Sequence, residues 1–163
     1  MRNAIACAAI LISLTASAQE NERFLPLQVS VTAAGAACRE FNVSLYQGNQ
    51  LVAELPPSKH SAFELALDAN DRFSVRIGKP GYRDKTIAVD SRMPEGDAII
   101  EAVAYTVDLE PMDRFAHADP FYLDFPCAIV QWDEASARFN HSERYLADIQ
   151  LKMALLSAQA SAE

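Results

Sequence analysis

Histidine and carboxylate side chains are the first candidates for chemistry in this sequence, because they can bind a metal ion or transfer a proton. Three histidines are present, His60, His117 and His141. His117 and Asp119 stand two positions apart, a spacing that suits two ligands of one metal ion. No motif fixes a third ligand beside them. We therefore interpret the histidines as exposed loop residues and predict no metal site.

A second group of oxygen-bearing side chains, Asp68, Asn70 and Asp71, resembles part of a calcium-binding loop. A complete loop has a glycine at its sixth position and a glutamate at its twelfth, where this chain has Lys79. Aspartate and asparagine are also favoured in tight turns. We therefore predict a turn between two strands here and no bound calcium.

Nucleophilic catalysis has no recognisable motif in the chain. The sequence contains no Gly-x-Ser-x-Gly stretch, no Cys-x-x-Cys pair and no histidine beside a cysteine. Its carboxylates are scattered along the sequence, and their spacing does not identify a pair for general acid–base catalysis. We expect a protein that is not an enzyme and that uses no cofactor.

One surface element is distinctive, the stretch Lys79-Pro80-Gly81-Tyr82. Proline fixes φ and glycine accepts positive φ, so the stretch has the pattern of a tight turn between strands. Loops at the end of a β-sheet also carry recognition sites, and we take Lys79, Tyr82 and Trp132 as candidate binding residues. For both aromatic rings the alternative is packing against the core.

Residues 1–18 have the pattern of a secretory signal peptide. A single arginine precedes an apolar stretch at 4–14, and Ala16-Ser17-Ala18 is a small-x-small cleavage site. The apolar stretch is too short to span a bilayer. The alternative to a signal peptide is a buried N-terminal helix. We expect export to the periplasm or the extracellular space, with no membrane insertion after cleavage.

Cleavage of this peptide would remove Cys7 and leave two cysteines, Cys38 and Cys127. A pair of cysteines in an exported chain is typical of one disulfide. The bond would close a loop of about 90 residues and contribute roughly 4 to 5 kcal/mol by restricting the unfolded chain. We predict the disulfide Cys38–Cys127, with two free buried thiols as the alternative.

Short runs of alternating apolar and polar residues dominate the chain from Leu25 to about Glu110. This period of two indicates β-strands with one buried face. Turn residues separate the runs every eight to ten positions or so, as in a sandwich of antiparallel strands. The apolar members of the clearest runs are Leu27, Val29 and Val31; Phe41, Val43 and Leu45; Phe63, Leu65 and Leu67; and Phe73, Val75 and Ile77.

The pattern changes near the C-terminus, where a helix follows a last strand predicted at 127–132. Asn140, with Glu143 three residues later, has the spacing of a helix-capping pair. Beyond this pair, apolar residues recur at intervals of three and four and form a single stripe. Its members are Leu146, Ile149, Met153 and Leu156.

Together these elements predict a mainly β protein, a single antiparallel β-sandwich of about seven strands with one C-terminal α-helix. The predicted segments are the signal peptide at 1–18, the sandwich with its closing loop and strand at 19–133, and the helix, packed on the sandwich, at 134–163. Lysine plus arginine number 14 and aspartate plus glutamate 22, giving a net charge of −8. Without a basic patch, nucleic acid is not an expected partner.

The segment 63–89 resembles the carboxypeptidase-regulatory-like, or transthyretin-like, β-sandwich module of many exported bacterial proteins. The shared positions are Phe63 and Leu65, then Phe73, Val75 and Ile77, then Lys79, Gly81 and Tyr82. The stretch 125–132, with 138–140 and Tyr145, is similar to the end of this module in Gram-negative envelope proteins. The usual Gly-x-Pro-Leu-x-Gly-Ala entry is missing, and Ser61 replaces a glycine.

This resemblance implies a transthyretin-like fold and an exported scaffold with many uses, because fold alone does not give function. It leads us to expect a non-catalytic module that binds or assists another component of the cell envelope, either a protein or a glycan. The alternative is a carbohydrate-binding module with Trp132, Tyr82 and Tyr46 as aromatic platforms. A related hydrolase of purine degradation depends on a C-terminal Tyr-Arg-Gly-Ser motif, which this sequence lacks.

Overall fold

The computed structural model describes residues 23–94, 100–115 and 123–160. The predicted signal peptide, His117 and Asp119 lie outside these residues. The strands are β1 (Phe24–Ala33), β2 (Ala36–Ala37), β3 (Asn42–Gln47), β4 (Gln50–Leu55), β5 (Ala62–Asp68), β6 (Arg72–Gly78), β7 (Lys85–Asp90), β8 (Val103–Leu109), β9 (Ala128–Asp133) and β10 (Arg138–His141). A short 3₁₀ helix (Met112–Phe115) follows β8, and one α-helix, α1 (Glu143–Ala160), follows β10.

The strands form two sheets, which confirms the predicted sandwich with one C-terminal helix. In the four-stranded sheet, β5 and β2 pair with successive parts of β1, and β8 pairs with β1 as well. The second sheet has six strands in the order β10-β9-β7-β6-β3-β4. Apolar residues at alternate positions point between the sheets, as the period of two predicts. Fully buried examples are Leu25, Leu27, Val31, Val75, Ile77, Ile87 and Leu109.

Two features of the sheets differ from the expectation of about seven antiparallel strands. The described residues form ten strands, because the short strands β2 and β10 join the eight longer ones. β1 pairs with β8 in parallel, and β7 pairs with β9 in parallel. Parallel neighbours need a long crossover connection instead of a hairpin turn, and no local pattern in the sequence marks such a pair.

The helix begins later than the predicted segment 134–163, because β10 lies between that boundary and the helix. Ser142 is the capping residue, since its Oγ accepts a hydrogen bond of 3.3 Å from the Tyr145 N–H. The predicted cap, Asn140, lies in β10 and uses its Oδ1 to accept a bond from the His141 N–H. Pairing with β9 therefore decides the conformation of Asn140.

Ser91 ties the turn between β5 and β6 to the end of β7. Its side chain is fully buried, and its Oγ accepts a hydrogen bond of 3.0 Å from the Asp71 N–H. The same hydroxyl donates to the Asp68 carbonyl oxygen at 2.6 Å. Asn70 lies between these residues with φ of 67°, a left-handed conformation that asparagine tolerates. The predicted turn at these residues is confirmed, and Ser91 holds it in place.

Replacing Ser91 by alanine is expected to lower the free energy of unfolding by about 2 kcal/mol, because the Asp71 N–H and the Asp68 carbonyl oxygen, in partly buried hydrogen bonds, lose their partner. Urea unfolding followed by circular dichroism measures the change. Ser30→Ala on the exposed face of β1 serves as the control and should change stability by less than about 0.5 kcal/mol. Equal effects of the two substitutions would contradict this role of Ser91.

Candidate functional site

A groove of about 700 Å³ lies between strand β8 and helix α1. The segment 123–127 and the start of β7 contribute to its lining, and charged side chains gather at one end of it. We call it the β8–α1 groove. Its volume is in the range of pockets that hold small molecules or short peptide segments.

One wall of the groove is the edge of β8. Four consecutive residues, Tyr105, Thr106, Val107 and Asp108, line it. Val107 points into the core, whereas Thr106 and Asp108 are exposed on the other face of the sheet. Residues from both faces line one groove when the groove lies along the edge of the strand. Among the strands that the structure describes, β1 is the only partner of β8.

The opposite wall is an aliphatic face of α1. Ile149 is buried, and Leu146 and Met153 are half-buried beside it. Gln150 and Ala154 line the same groove and are exposed. The spacing of three and four residues places these side chains on one face of the helix. This wall offers apolar contacts and one amide group.

Two tyrosine hydroxyls fix the segment that underlies α1. The Tyr105 Oη donates to the Cys127 carbonyl oxygen at 3.1 Å, and the Tyr145 Oη donates to the Pro126 carbonyl oxygen at 2.6 Å. The ammonium group of Lys152 lies 5.3 Å from the centre of the Phe125 ring. Strand β8 and helix α1 are thus both attached to the same segment, which sets the width of the groove.

A cluster of charges closes the groove at the C-terminal end of β8. Glu110 forms ion pairs with Lys85, with Arg83 at 3.6 Å and with Arg114 at 3.4 Å. The Lys85 and Glu110 side chains are 13% and 14% exposed. Burial lowers the pKa of Arg83, and the nearby carboxylates of Glu110 and Asp124 oppose that shift. Within this cluster, three cations share one carboxylate.

Lys79 and Tyr82, two predicted binding residues, lie together in a different place. They line a cleft of about 440 Å³ on the outer face of the six-stranded sheet, with Tyr46, Arg76 and Asp84 among its other residues. We call it the outer cleft. The Lys79 Nζ donates to the Arg39 carbonyl oxygen at 2.6 Å, so this side chain holds the chain ahead of β3.

Trp132, the third predicted binding residue, is separated from the other two. It lies opposite Phe139 in the β9–β10 pair. The two rings meet edge to face with their centres 5.3 Å apart, and Trp132 packs against the core. Trp132 lines neither the β8–α1 groove nor the outer cleft.

Both cysteines that the structure describes, Cys38 and Cys127, are free thiols, which differs from the predicted disulfide. The Cys38 N–H donates to Val31 on the edge of β1 that faces away from β8. Cys127 lies on the other side, where its carbonyl accepts the Tyr105 hydroxyl of β8. Cys38 is therefore attached to β1 and Cys127 to the segment beside β8, and their sulfur atoms are not bonded to each other.

Burial raises the pKa of the Cys127 thiol to about 11. Because the thiolate is the reactive form, iodoacetamide is expected to label folded Cys127 on the order of a hundredfold more slowly than an ordinary thiol at about pH 8. The rate should rise steeply towards pH 11. Mass spectrometry of the Cys127 peptide measures it, with urea-unfolded protein as the control. Labelling at the ordinary rate would contradict the shift, and an unreactive residue in urea without reductant would indicate the disulfide.

Some of the histidine and carboxylate side chains that could bind a metal ion lie among the described residues. His60 is exposed and His141 lies 5.8 Å from the Tyr105 ring, measured between ring centres. Asp71 accepts a hydrogen bond from the Arg72 N–H and another from Gln47. Within the described ranges, no cluster of three or more histidine, cysteine or carboxylate side chains is arranged to hold a metal ion.

The groove escaped prediction because its charged residues have no common spacing. Arg83, Lys85, Glu110 and Arg114 are spread over three parts of the chain. The apolar stripe of α1 was a visible signal, and it marked the helical wall correctly. The open edge of β8 could not be predicted from the sequence. Edge strands and central strands of an antiparallel sheet show the same alternation of apolar and polar residues.

Comparison with known proteins gives little further information. No protein-family model and no curated protein matches the chain. Solved structures with a weak likeness include 3-chlorocatechol 1,2-dioxygenase from Rhodococcus opacus, with 10% identity and a TM-score of 0.39 over 58% of this chain and 62% of that one. Catechol 1,2-dioxygenase from Pseudomonas arvilla has 6% identity and a TM-score of 0.38 over 58% of this chain and 54% of that one. The chain spans less than two thirds of either enzyme.

Proposed function

We propose that this protein is an exported, non-catalytic binding module that holds another component of the cell envelope in the β8–α1 groove. The observation that carries the proposal is the groove itself, where an open strand edge, an aliphatic helix face and a cationic end meet. These three surfaces can satisfy the backbone, the apolar side chains and the charge of one ligand.

Export is part of this proposal and rests on the signal-peptide pattern of residues 1–18. It places the protein in the periplasm or the extracellular space. The resemblance of 63–89 and 125–132 to an exported β-sandwich module supports the same location. Among the residues that the structure describes, no helix has both the length and the hydropathy of a membrane span.

The side chains of the groove are better suited to binding a ligand than to catalysing a covalent reaction. Its thiol, Cys127, has a raised pKa and is a poor nucleophile. Its cations are held by Glu110, an arrangement that fixes positive charge at one place. Such groups recognise an anionic ligand without reacting with it.

A pull-down from solubilised cell envelope tests the proposal. The wild-type protein is expected to recover one discrete component that Gln150→Trp, which fills the groove, fails to recover. The control is Leu155→Trp, which places the same ring on the side of α1 away from the groove, where Leu155 is 58% exposed. Recovery of nothing by the wild type, or equal recovery by both variants, would contradict binding in the groove.

Glycan binding at the outer cleft is the second candidate. Tyr46 and Tyr82 are half-exposed there, and Arg76, Asp84 and Asn42 supply polar groups around them. Aromatic faces and polar side chains together suit a sugar ring. A glycan array would decide, with Tyr46→Ala expected to lose any sugar that the wild type binds and Trp132→Phe expected to keep it.

A further inference from the structure

We infer that helix α1 is an interface between two copies of this chain, which pair antiparallel through an exposed apolar stripe on the helix. The stripe consists of Ala147, Leu151, Ala154, Leu155 and Ala158. The inference goes beyond the proposed function, because it concerns a partner of the helix and not the ligand of the groove. It depends on the spacing of the stripe, its combination of large and small residues, and the charges of α1.

The stripe is a second apolar face of α1. Leu151 is 61% exposed and Leu155 is 58% exposed, and the three alanines are exposed as well. Helical geometry places all five side chains within an arc of about 100°, roughly opposite Ile149, which is buried. An exposed apolar face of this kind is typical of an interaction surface.

The spacing of the stripe suits another helix. Its members at 147, 151, 154 and 158 follow one another at intervals of four, three and four residues, and Leu155 borders them. These are the intervals of the contact seam between two packed helices. Because alanine has a short side chain, two such helices can approach closely, and a leucine of one fits into the space above an alanine of the other.

The stripe is complementary to itself when two copies run antiparallel. With a two-fold axis between positions 152 and 153, Leu151 of each copy packs against Ala154 of the other. Ala147 of each copy then lies beside Ala158 of the other. One patch is used twice, as in other two-fold dimers. Parallel pairing would place leucine on leucine and alanine on alanine, and would leave gaps beside the alanines.

The charges at the ends of α1 favour the same direction. The first turn contains Glu143 and Arg144, and the last turn has no basic residue. Arg144 lies in line with the stripe, whereas Glu143 lies on its flank. In an antiparallel pair, Arg144 comes beside the C-terminal end of the other helix, where the backbone dipoles concentrate negative charge. In a parallel pair, two Arg144 side chains would face and repel each other.

The remaining charges of α1 favour a second copy over a lipid surface. Asp148 and Lys152 lie on the flank beyond Leu155 and form an ion pair of 2.7 Å. Together with Glu143 and Arg144 they give the helix equal numbers of acidic and basic residues. Helices that lie on anionic membranes are instead rich in lysine and arginine on their polar face.

Sedimentation equilibrium of the purified protein tests the inference. The stripes overlap from Ala147 to Ala158, about 17 Å along the helix axes. A contact of this length is at the small end of the range for protein interfaces, so we expect a dissociation constant on the order of 10 µM. The average mass should rise from that of one chain towards that of two as the concentration increases. A protein that remains monomeric up to about 300 µM would overturn the inference.

Substitutions locate the interface. Leu151→Glu is expected to raise the dissociation constant about a hundredfold or more, because each copy loses a buried leucine and brings a carboxylate into the contact. Val52→Glu is the matched control, the same kind of change at an aliphatic residue of β4 that is 44% exposed, and should leave the dimer intact. Arg144→Gln should weaken the dimer roughly fivefold, and Arg72→Gln, at an exposed arginine of β6, should not.

Circular dichroism should show that both glutamate variants are folded, since each replaces an exposed side chain. A dimer that persists in Leu151→Glu would overturn the inference. So would a dimer that dissociates in Val52→Glu alone, because the copies would then associate through β4.

Cysteine cross-linking tests the direction of the helices. A mixture of Ala147→Cys and Ala158→Cys proteins should form a disulfide-linked dimer on oxidation, because the two positions are opposite in the antiparallel pair. Either variant alone should not, since its two new cysteines would lie about 17 Å apart along the axes, beyond the 7 Å or so that a disulfide spans. Wild-type protein, whose Cys38 and Cys127 are free, is the control. Cross-linking of either variant by itself would indicate parallel helices and overturn the antiparallel arrangement.

Failure of this inference is distinguishable from failure of the proposed function. Ala154 and Ala158 are at the rim of the β8–α1 groove, which they also line, but Leu151 is not among its lining residues. Leu151→Glu should therefore still recover in the pull-down any component that the wild type recovers through the groove. A monomeric wild type that binds a different protein or anionic vesicles, and loses that binding in Leu151→Glu, would assign the stripe to that partner and overturn this inference alone.

Discussion

Replacing Glu110 by glutamine is expected to lower the free energy of unfolding by about 3 kcal/mol, because it leaves a group of buried cations without their shared anion. Lys85, Arg83 and Glu110 are each exposed by no more than 15%. The neutral amide keeps the shape of the side chain and removes its charge. Arg83 and Lys85 would then repel each other where water screens them poorly.

Chemical unfolding in urea measures this loss. Glu64→Gln, at an exposed position of β5, is the matched control and should change stability by less than about 0.5 kcal/mol. Adding Lys85→Met to Glu110→Gln removes one of the repelling charges and should restore about half of the lost stability. If Glu110→Gln is as stable as the control, the prediction is wrong, and the cations then reach water without loss of folding free energy.

Replacing Phe41 by alanine is expected to lower the free energy of unfolding by about 4 kcal/mol, because a large cavity would open in the core. Phe41 is fully buried and precedes β3 of the six-stranded sheet. Its ring centre lies 5.9 Å from that of Phe63 on β5, in the other sheet. The ring of Phe41 thus packs between the two sheets.

The same measurement applies to a matched control at Phe24, which is 40% exposed at the start of β1. Phe24→Ala is expected to cost no more than about 1 kcal/mol, because much of the ring already contacts water. Phe41→Leu should recover more than half of the stability that alanine loses, since leucine fills most of the space. Comparable losses for Phe24→Ala and Phe41→Ala would contradict the position of Phe41 between the sheets.

The strands were predictable because their signal is local. In β1 and β6 every second residue is apolar, and the buried members Leu27, Val29, Val75 and Ile77 are those that the alternation selected. The turn at Gly81 was also predictable, since its φ of 84° is one that glycine accepts. The helix stripe at Ile149 followed from helical spacing in the same way.

The elements that prediction missed depend on residues far away in the chain. β2 and β10 are too short to show a period, and their pairing with β1 and β9 stabilises them. Ser142 and Asn140 are both good capping residues, and the extension of β10 to His141 decides between them. Predicted binding residues were split for the same reason, because Lys79 and Tyr82 share the outer cleft while Trp132 packs on Phe139.

The amino-acid sequence by itself determined the fold class, the inner face of each long strand and the apolar face of the helix. Burial of apolar surface is the dominant favourable term in folding. The period at which apolar residues recur is visible within a few neighbouring residues. The tertiary structure alone decided which strand keeps an open edge, that Glu110 lies among three cations, and that β1 separates Cys38 from the segment of Cys127. Each of these features depends on contacts between residues that are distant in sequence. Such contacts form only when the chain closes long loops, and the conformational entropy lost in closing them cannot be read from a local sequence pattern.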